Sequence, residues 1–143
     1  MIITRIDFAT PDYDESVQLR TKILREPLGL TFTIEQLSAE YLDIHFAAFD
    51  DEGVLRGILL MLPKNADTVK MRQVAVATDA QGRGVGRALV AACEAWAKIN
   101  QFKTIELHAR DHAIAFYEKL NYECVGDWFS EVNILHKKLI KNL

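Results

Sequence analysis

Seven residues have types and spacing suited to chemistry: Gln81-Gly82-Arg83-Gly84-Val85-Gly86-Arg87. Glycines at alternate positions let the backbone turn sharply and come close to a ligand, because no Cβ stands in the way. An apolar run, Val74-Ala75-Val76, precedes the loop, and a long helical pattern begins near Val85. The first N–H groups of a helix lack intrahelical partners and carry the positive end of its dipole, so an anion there satisfies both. Arg83 and Arg87 add positive charge. Phosphate binding is therefore the chemistry expected of this loop, although the seven residues alone also suit an ordinary tight turn from strand to helix.

The chain that must position this loop has 143 residues, the length of one domain with a substantial core. Half of its residues are hydrophobic and 26% are charged, a globular balance. Seventeen Lys and Arg against 20 Asp and Glu leave a net charge of -3 with no basic run, which argues against nucleic acid as a partner. The N-terminus, Met1-Ile2-Ile3-Thr4-Arg5-Ile6-Asp7, has no basic segment followed by an apolar core, and no later run reaches bilayer length. A cytoplasmic protein without a membrane partner is the expectation. Two cysteines, Cys93 and Cys124, are too few for a disulfide framework. Cys93 shares a helical face with Leu89 and Trp96 and is expected to pack as a small apolar residue. Four scattered histidines do not make metal-ligand spacing, so no metal is expected.

Taken in order, Ile2 to Phe8 predicts a strand ended by Pro11-Asp12, and Tyr13 to Arg25 a helix with Asp12 or Asp14 as N-cap. Pro27 and Gly29 break it. Thr33-Ile34-Glu35-Gln36 predicts a capping box opening a short helix to about Tyr41. Between the two helices, Arg25 to Thr33 carries Leu28, Leu30 and Phe32 and reads as either a lid or a packed connection. Strands over Asp43 to Phe49 and Val54 to Leu62 flank a hairpin turn, Asp50-Asp51-Glu52-Gly53. Val69 to Ala77 delivers the chain into the glycine loop, and the helix that follows runs to about Asn100, with Val85, Leu89, Ala92, Cys93 and Trp96 as its apolar stripe. A strand over Lys103 to Ala109, a helix over Asp111 to Leu120 capped by Asp111, strands over Tyr122 to Phe129 and Glu131 to Leu139, and a basic tail complete the chain. The order β-α-α-β-β-β-α-β-α-β-β describes a single mixed α/β domain, residues 1–143, without repeats or linkers.

The glycine loop resembles the Gln/Arg-x-x-Gly-x-Gly/Ala signature of the GNAT N-acetyltransferases. A second segment, Ala113-Ile114-Ala115-Phe116-Tyr117-Glu118-Lys119-Leu120-Asn121-Tyr122, resembles the Ala-x-x-Phe-Tyr-x-Lys-x-Gly-Phe segment of that family, at the appropriate distance. The order of elements agrees as well, so the resemblance covers essentially the whole chain. It implies a central sheet of about seven strands flanked by about four helices. It also implies acetyl-CoA as donor, its pyrophosphate on backbone N–H groups from Gly82 to Arg87, with Gln81 among the cofactor-binding residues, and its pantetheine arm on backbone groups of Val74, Ala75 and Val76. Phe116, Tyr117 and Lys119 match the second segment, and Tyr117 matches the tyrosine near the sulfur, which implies a general-acid role.

Acyl transfer from sulfur to an amine needs a base for the ammonium proton, a donor for the oxyanion and a proton for the departing thiolate. On the strand before Tyr117, Glu106 and His108 are two apart and share a face. Either suits a base, His108 ahead of Glu106, and each equally suits a polar residue on an outer strand face. His45, in the otherwise apolar Ile44-His45-Phe46, and Glu131 and His136, on the last strand, are acceptor-pocket candidates. The ending Glu131-Val132-Asn133-Ile134-Leu135-His136 resembles the Glu-x-x-Ile-Pro-His segment of ElaA-like members, with Leu135 in place of proline.

Two positions depart from the family pattern. Arg110 stands where many members have an asparagine near the pantetheine, and Asn121 replaces a glycine. Asparagine tolerates the left-handed conformation that a helix C-terminal turn asks for. The function implied is N-acetyl transfer to the amine of a small molecule or peptide by direct attack in a ternary complex, in a chain whose sequence is also compatible with a homodimer. A CoA-binding regulatory module with little catalysis is the alternative. A general nucleotide-binding domain is disfavoured, since the loop lacks the Lys-Ser/Thr ending of a P-loop.

Overall fold

The computed structural model describes residues 1–143. Its strands are β1 (Ile2–Ile6), β2 (Ile44–Phe49), β3 (Leu55–Pro63), β4 (Thr68–Val76), β5 (Thr104–Arg110), β6 (Glu123–Glu131) and β7 (Ile134–Asn142), and its α-helices are α1 (Pro11–Arg20), α2 (Ile34–Ser38), α3 (Val85–Ile99) and α4 (Asp111–Lys119). The sheet order is β1-β2-β3-β4-β5-β7-β6. β4 and β5 pair in parallel, whereas β1–β2, β2–β3, β5–β7 and β6–β7 pair antiparallel. The seven strands and four helices are those expected from the sequence. No helix is long and apolar enough to cross a membrane.

Two compact units divide the chain, the first comprising residues 1–62 and 73–93 and the second residues 63–72 and 94–143. In the first, Ile6, Ala47, Leu55, Ile58, Leu60 and Ala75 form a buried cluster, with Leu19, Ile23, Leu24 and Phe49 packed against it. The helical side chains at 19, 23 and 24 reach it from one face, as a spacing of three to four residues requires. At Gly57 of β3, an added Cβ would stand 2.9 Å from Leu89 Cδ1 and 2.9 Å from Val85 Cγ1, so α3 lies directly on the strand. In the second unit, Ile105, Leu107, Ala109, Tyr117, Tyr122 and Leu139 are buried. Trp96 stacks on Phe102, and Lys141 pairs with Glu94 at 2.7 Å.

Several boundaries differ from the sequence expectation for identifiable reasons. Thr10, not Asp12 or Asp14, caps α1: its Oγ1 accepts from Tyr13 N at 3.4 Å, Pro11 fills N1, and the two aspartates lie in the first turn against the dipole. α1 continues into a π-helical turn over Thr21–Arg25, where the Thr21 hydroxyl donates to the Val17 carbonyl at 2.7 Å. Asp111 is the first helical residue of α4, and Arg110 holds the cap position without a side-chain bond. Glu131 ends β6 rather than opening the last strand, because Val132 and Asn133 take φ of 47° and 60° and turn the chain there. The predicted basic tail is the end of β7. The capping box of Thr33 and Gln36 is present in both of its bonds, 3.1 Å and 2.9 Å.

Charge is buried at the junction of α1 and the 3₁₀ turn Ala39–Leu42 that follows α2. Arg20 and Glu40, 0% and 1% exposed, form two bonds of 2.7 Å. The Tyr13 hydroxyl donates to Glu40 Oε1 at 2.7 Å, and burial, followed by the Glu40 carboxylate, pushes its pKa up. Phe32 lies under both cations, 5.1 Å from Arg20 Cζ and 4.5 Å from Arg25 Cζ, so the stretch between the helices is a packed connection. Breaking a buried pair leaves one uncompensated charge, whereas replacing both partners with apolar groups does not. Glu40→Ala is expected to lose about 3–5 kcal/mol of unfolding free energy in urea titration, and Arg20→Met with Glu40→Leu far less. An unchanged midpoint for Glu40→Ala would refute this account.

Candidate active site

In the first unit, the end of β4 and the glycine loop are tied down by side chains that never reach the loop's own N–H groups. Arg56 on β3 bonds Asp50 at 2.8 Å and Asp79 at 3.1 Å, and its carbonyl accepts from Ala77 N at 2.8 Å. Gln81 turns back, its Nε2 donating to the Val76 carbonyl at 3.0 Å, so this signature residue fastens the loop to the strand. Gly82 and Gly84 take φ of 76° and 84°, where an L side chain costs about 1–2 kcal/mol. The Gly84 carbonyl accepts the first intrahelical bond, from Ala88 N at 3.0 Å, and a glycine offers no side chain to cap the helix. The N–H groups from Gly82 to Arg87 thus have no protein acceptor. Val85 is buried beneath them, and Arg83 and Arg87 are exposed.

The parallel pairing of β4 with β5 runs from Thr68↔Thr104 to Met71↔Leu107, and Gln73 then takes φ 55°. Val74 and Val76 are half-buried and Ala75 is buried, as the alternation of the run requires.

In the second unit, one face of the sheet gathers polar residues from four strands. Glu106 is buried, and its two oxygens accept from Lys64 at 2.6 Å and Lys138 at 3.1 Å. Burial alone would push this carboxyl up, but the two ammonium groups more than offset it and hold it below the usual range. His108, two residues on, has Nδ1 at 3.3 Å from Lys70 Nζ and at 3.3 Å from Glu131 Oε1. Burial, then the Lys70 charge, lowers its pKa, with Glu131 and Glu106 opposing. The other oxygen of Glu131 lies 3.8 Å from His136 Nε2. Phe129 meets His108 edge-on at 4.8 Å and stacks on His136 at 6.1 Å. Three candidates from separate segments, His108, Glu131 and His136, are therefore brought together. Lys70 completes the group and carries no local sequence signal. Only the β4–β5 register, which pairs Lys70 with Glu106, places it there.

Tyr117 on α4 is 7% exposed and lies between the rings of Phe116 and Tyr122, at 5.0 Å and 5.8 Å. Its hydroxyl bonds to no protein group, and burial pushes its pKa up. Phe116, at the exposed edge of the helix, and Lys119 face solvent. Asn121 takes φ 71° and donates to the Glu118 carbonyl at 3.0 Å, closing the helix as a glycine would. Arg110 is half-buried at the start of α4, paired across the ladder with His136. His45 sits elsewhere, in the first unit: it is buried, its Nε2 donates to the Glu40 carbonyl at 2.9 Å, and its ring packs on Tyr13 at 5.4 Å.

This arrangement has relatives among known proteins. An aminoglycoside 6'-N-acetyltransferase complexed with coenzyme A superposes with a TM-score of 0.81 at 20% identity, over 99% of this chain and 97% of that one. A GNAT family acetyltransferase from Elizabethkingia anophelis with acetyl-CoA bound gives 0.76 at 17%, over 99% and 97%. An acyl-CoA N-acyltransferase from Pseudomonas aeruginosa gives 0.78 at 21%, over 98% of each chain. At such identities these likenesses concern the fold. The family described as "Acetyltransferase (GNAT) domain" matches residues 42–124, a span holding β2 to β5, the glycine loop, α3 and α4. With more than half of its length matched, including both signature segments, the chain belongs to the GNAT acetyltransferase family.

Proposed function

We propose that residues 1–143 work as one domain that transfers an acetyl group from acetyl-CoA to the amine of a small molecule or peptide, by direct attack in a ternary complex. The observation that carries this reading is the row of unengaged N–H groups from Gly82 to Arg87 at the start of α3. They fit a pyrophosphate, since a Cβ at Gly82 or Gly84 would meet nothing within 4 Å and the approach is open. Arg83 and Arg87 add charge at the same end. The backbone of Val74, Ala75 and Val76 is assigned to the pantetheine arm, and Arg110, Phe116 and Lys119 to further contacts. Family membership and relatives bound to coenzyme A or acetyl-CoA support the assignment. When bound, acetyl-CoA supplies the thioester whose acyl carbon accepts the amine.

His108 is the proposed base. Its lowered pKa keeps it neutral near pH 7, ready to take a proton from the acceptor's ammonium. Glu106 suits the role less well, because both of its oxygens already accept from lysines and its proton affinity is reduced. Tyr117 is the proposed acid: burial keeps the phenol protonated, so it has a proton for the departing sulfur. Glu131 and His136 remain acceptor-side candidates. His45 is engaged with Glu40 and Tyr13, which favours a structural role.

Acetyl-CoA is expected to raise the melting temperature, with ATP giving no comparable shift; the reverse result would overturn the CoA reading. A shift without thiol release across an amine panel would favour a regulatory module instead. For the chemistry, Tyr117→Phe and His108→Gln should each lower kcat on the order of 10²-fold with little change in the KM for acetyl-CoA. In wild type, kcat should fall on the acid side with a midpoint below the ordinary histidine value, because His108 must be neutral to act. Full turnover in either variant removes that residue's role and leaves the CoA site standing. Glu106 makes a separate prediction about stability. Its folded pKa is depressed, so its contribution is present above the ordinary carboxylate range and lost as pH falls through the folded value. Glu106→Gln should therefore be less stable than wild type at pH 7, and the gap should close in acid denaturant titrations.

A further inference from the structure

His108 Nδ1 stands between two groups that ask opposite things of it. Glu131 Oε1, at 3.3 Å, can only accept a hydrogen, and Lys70 Nζ, also at 3.3 Å, can only donate one while charged. A single nitrogen cannot serve both. If Nδ1 carries the proton, it donates to Glu131 and Nε2 is the bare, basic nitrogen. If Nδ1 is bare, it accepts from Lys70 and Nε2 carries the proton, leaving the ring no basic nitrogen to offer an acceptor.

Three observations favour Glu131. His136, the other imidazole beside it, turns Nδ1 to the Ile134 carbonyl at 2.8 Å, and its Nε2, 3.8 Å from Glu131 Oε2, is beyond hydrogen-bond distance. His108 is then the protein donor left for this carboxylate. Lys70, by contrast, has three N–H groups on a rotatable stem and is half-buried, open to water. Glu131 is also held by a turn whose backbone is costly: Glu131 and Ile134 are paired, and between them Val132 takes φ 47°, which a β-branched residue rarely adopts. Such strain persists where the surrounding structure enforces it. The edge of Phe129 against the His108 ring, at 4.8 Å, restrains the ring plane.

We propose that Glu131 is the positioning residue for His108: it takes the Nδ1–H bond, fixes the tautomer with Nε2 basic, and prevails over Lys70, which pulls toward the other tautomer. This assignment rests on the reading of His108 as the base. The charged and titratable groups facing His108 are Lys70 from β4, Glu106 on its own strand, Glu131 from β6, and Lys138, its direct partner on β7, with His136 beyond Glu131; Lys138 and Lys64 share the one negative charge of Glu106.

The test uses the full chain labelled with ¹⁵N-histidine, in which long-range proton–nitrogen correlations distinguish a protonated ring nitrogen from a bare one. Above its titration, His108 in wild type should show protonated Nδ1 and bare Nε2. Glu131→Ala should reverse the two, move the His108 titration to lower pH, and reduce kcat at least about tenfold with the acetyl-CoA KM unchanged. Lys70→Met should keep Nδ1 protonated and move the titration to higher pH. Nε2–H in neutral wild type, an unchanged tautomer in Glu131→Ala, or a reversed one in Lys70→Met would each overturn the proposal. Should Glu131→Ala not fold, wild type and Lys70→Met still decide it. His108→Gln with full turnover would remove the base reading alone, since the tautomer is read without turnover.

Discussion

α3 lies where it does because β3 has no side chain at Gly57. A Cβ there would stand 2.9 Å from both Val85 and Leu89, closer than packed atoms sit, and the helix would have to move away. Val85 is the first residue of α3, so the contact fixes the end of the helix that matters for an anion. Arg56, next to Gly57 on the same strand, fixes the approach to the loop through Asp79, Asp50 and the Ala77 N–H. Loop and helix are therefore referenced to one strand from two sides. The N–H groups from Gly82 to Arg87 can stay unengaged because they are not needed to hold the loop in place. Preorganised donors of this kind need no rearrangement when an anion arrives.

The features legible in the sequence were those whose cause is local. Alternating glycines needing left-handed φ, a Thr-x-x-Gln capping box and a polar hairpin around Gly53 each carry their reason within a few residues. Asn121 belongs with them, since its tolerance of positive φ is a property of the residue itself. Features that depend on pairing across the chain were not legible. Arg20 is a charged residue at the end of α1, yet it is buried because Glu40, Tyr13 and Phe32 converge on it from outside its own helix turn. Nothing at position 20 announces position 40.

The same distinction explains the site. His108, Glu131 and His136 were identifiable as polar residues on strands, but their meeting depends on β5, β7 and β6 lying side by side. Lys70 was missed because a lysine in an alternating strand has the pattern of an outward-facing residue, and only the register makes it a neighbour of His108. The position of Glu131 was misread by one element. Val132-Asn133 lacks the glycine that marks a two-residue hairpin turn, so nothing local placed the turn after Glu131 rather than before it.

Glu106 and His108 show how one strand face separates two titratable groups of similar prospects. Both side chains project to the same side, two residues apart. Burial works against the charge of this carboxyl, but Lys64 and Lys138 close on it and its proton affinity falls, so it keeps the anionic form a carboxyl ordinarily has at neutral pH. The imidazole, facing Lys70 and partly buried, also loses proton affinity, but it starts from a higher value, and the same direction of shift leaves it neutral rather than charged. A lowered carboxyl is a weaker base, whereas a lowered imidazole is one whose basic nitrogen is vacant at pH 7. Equal signs of shift thus suit the two groups to opposite roles, an ionic anchor for the lysines in one case and, under the proposed function, a proton acceptor in the other.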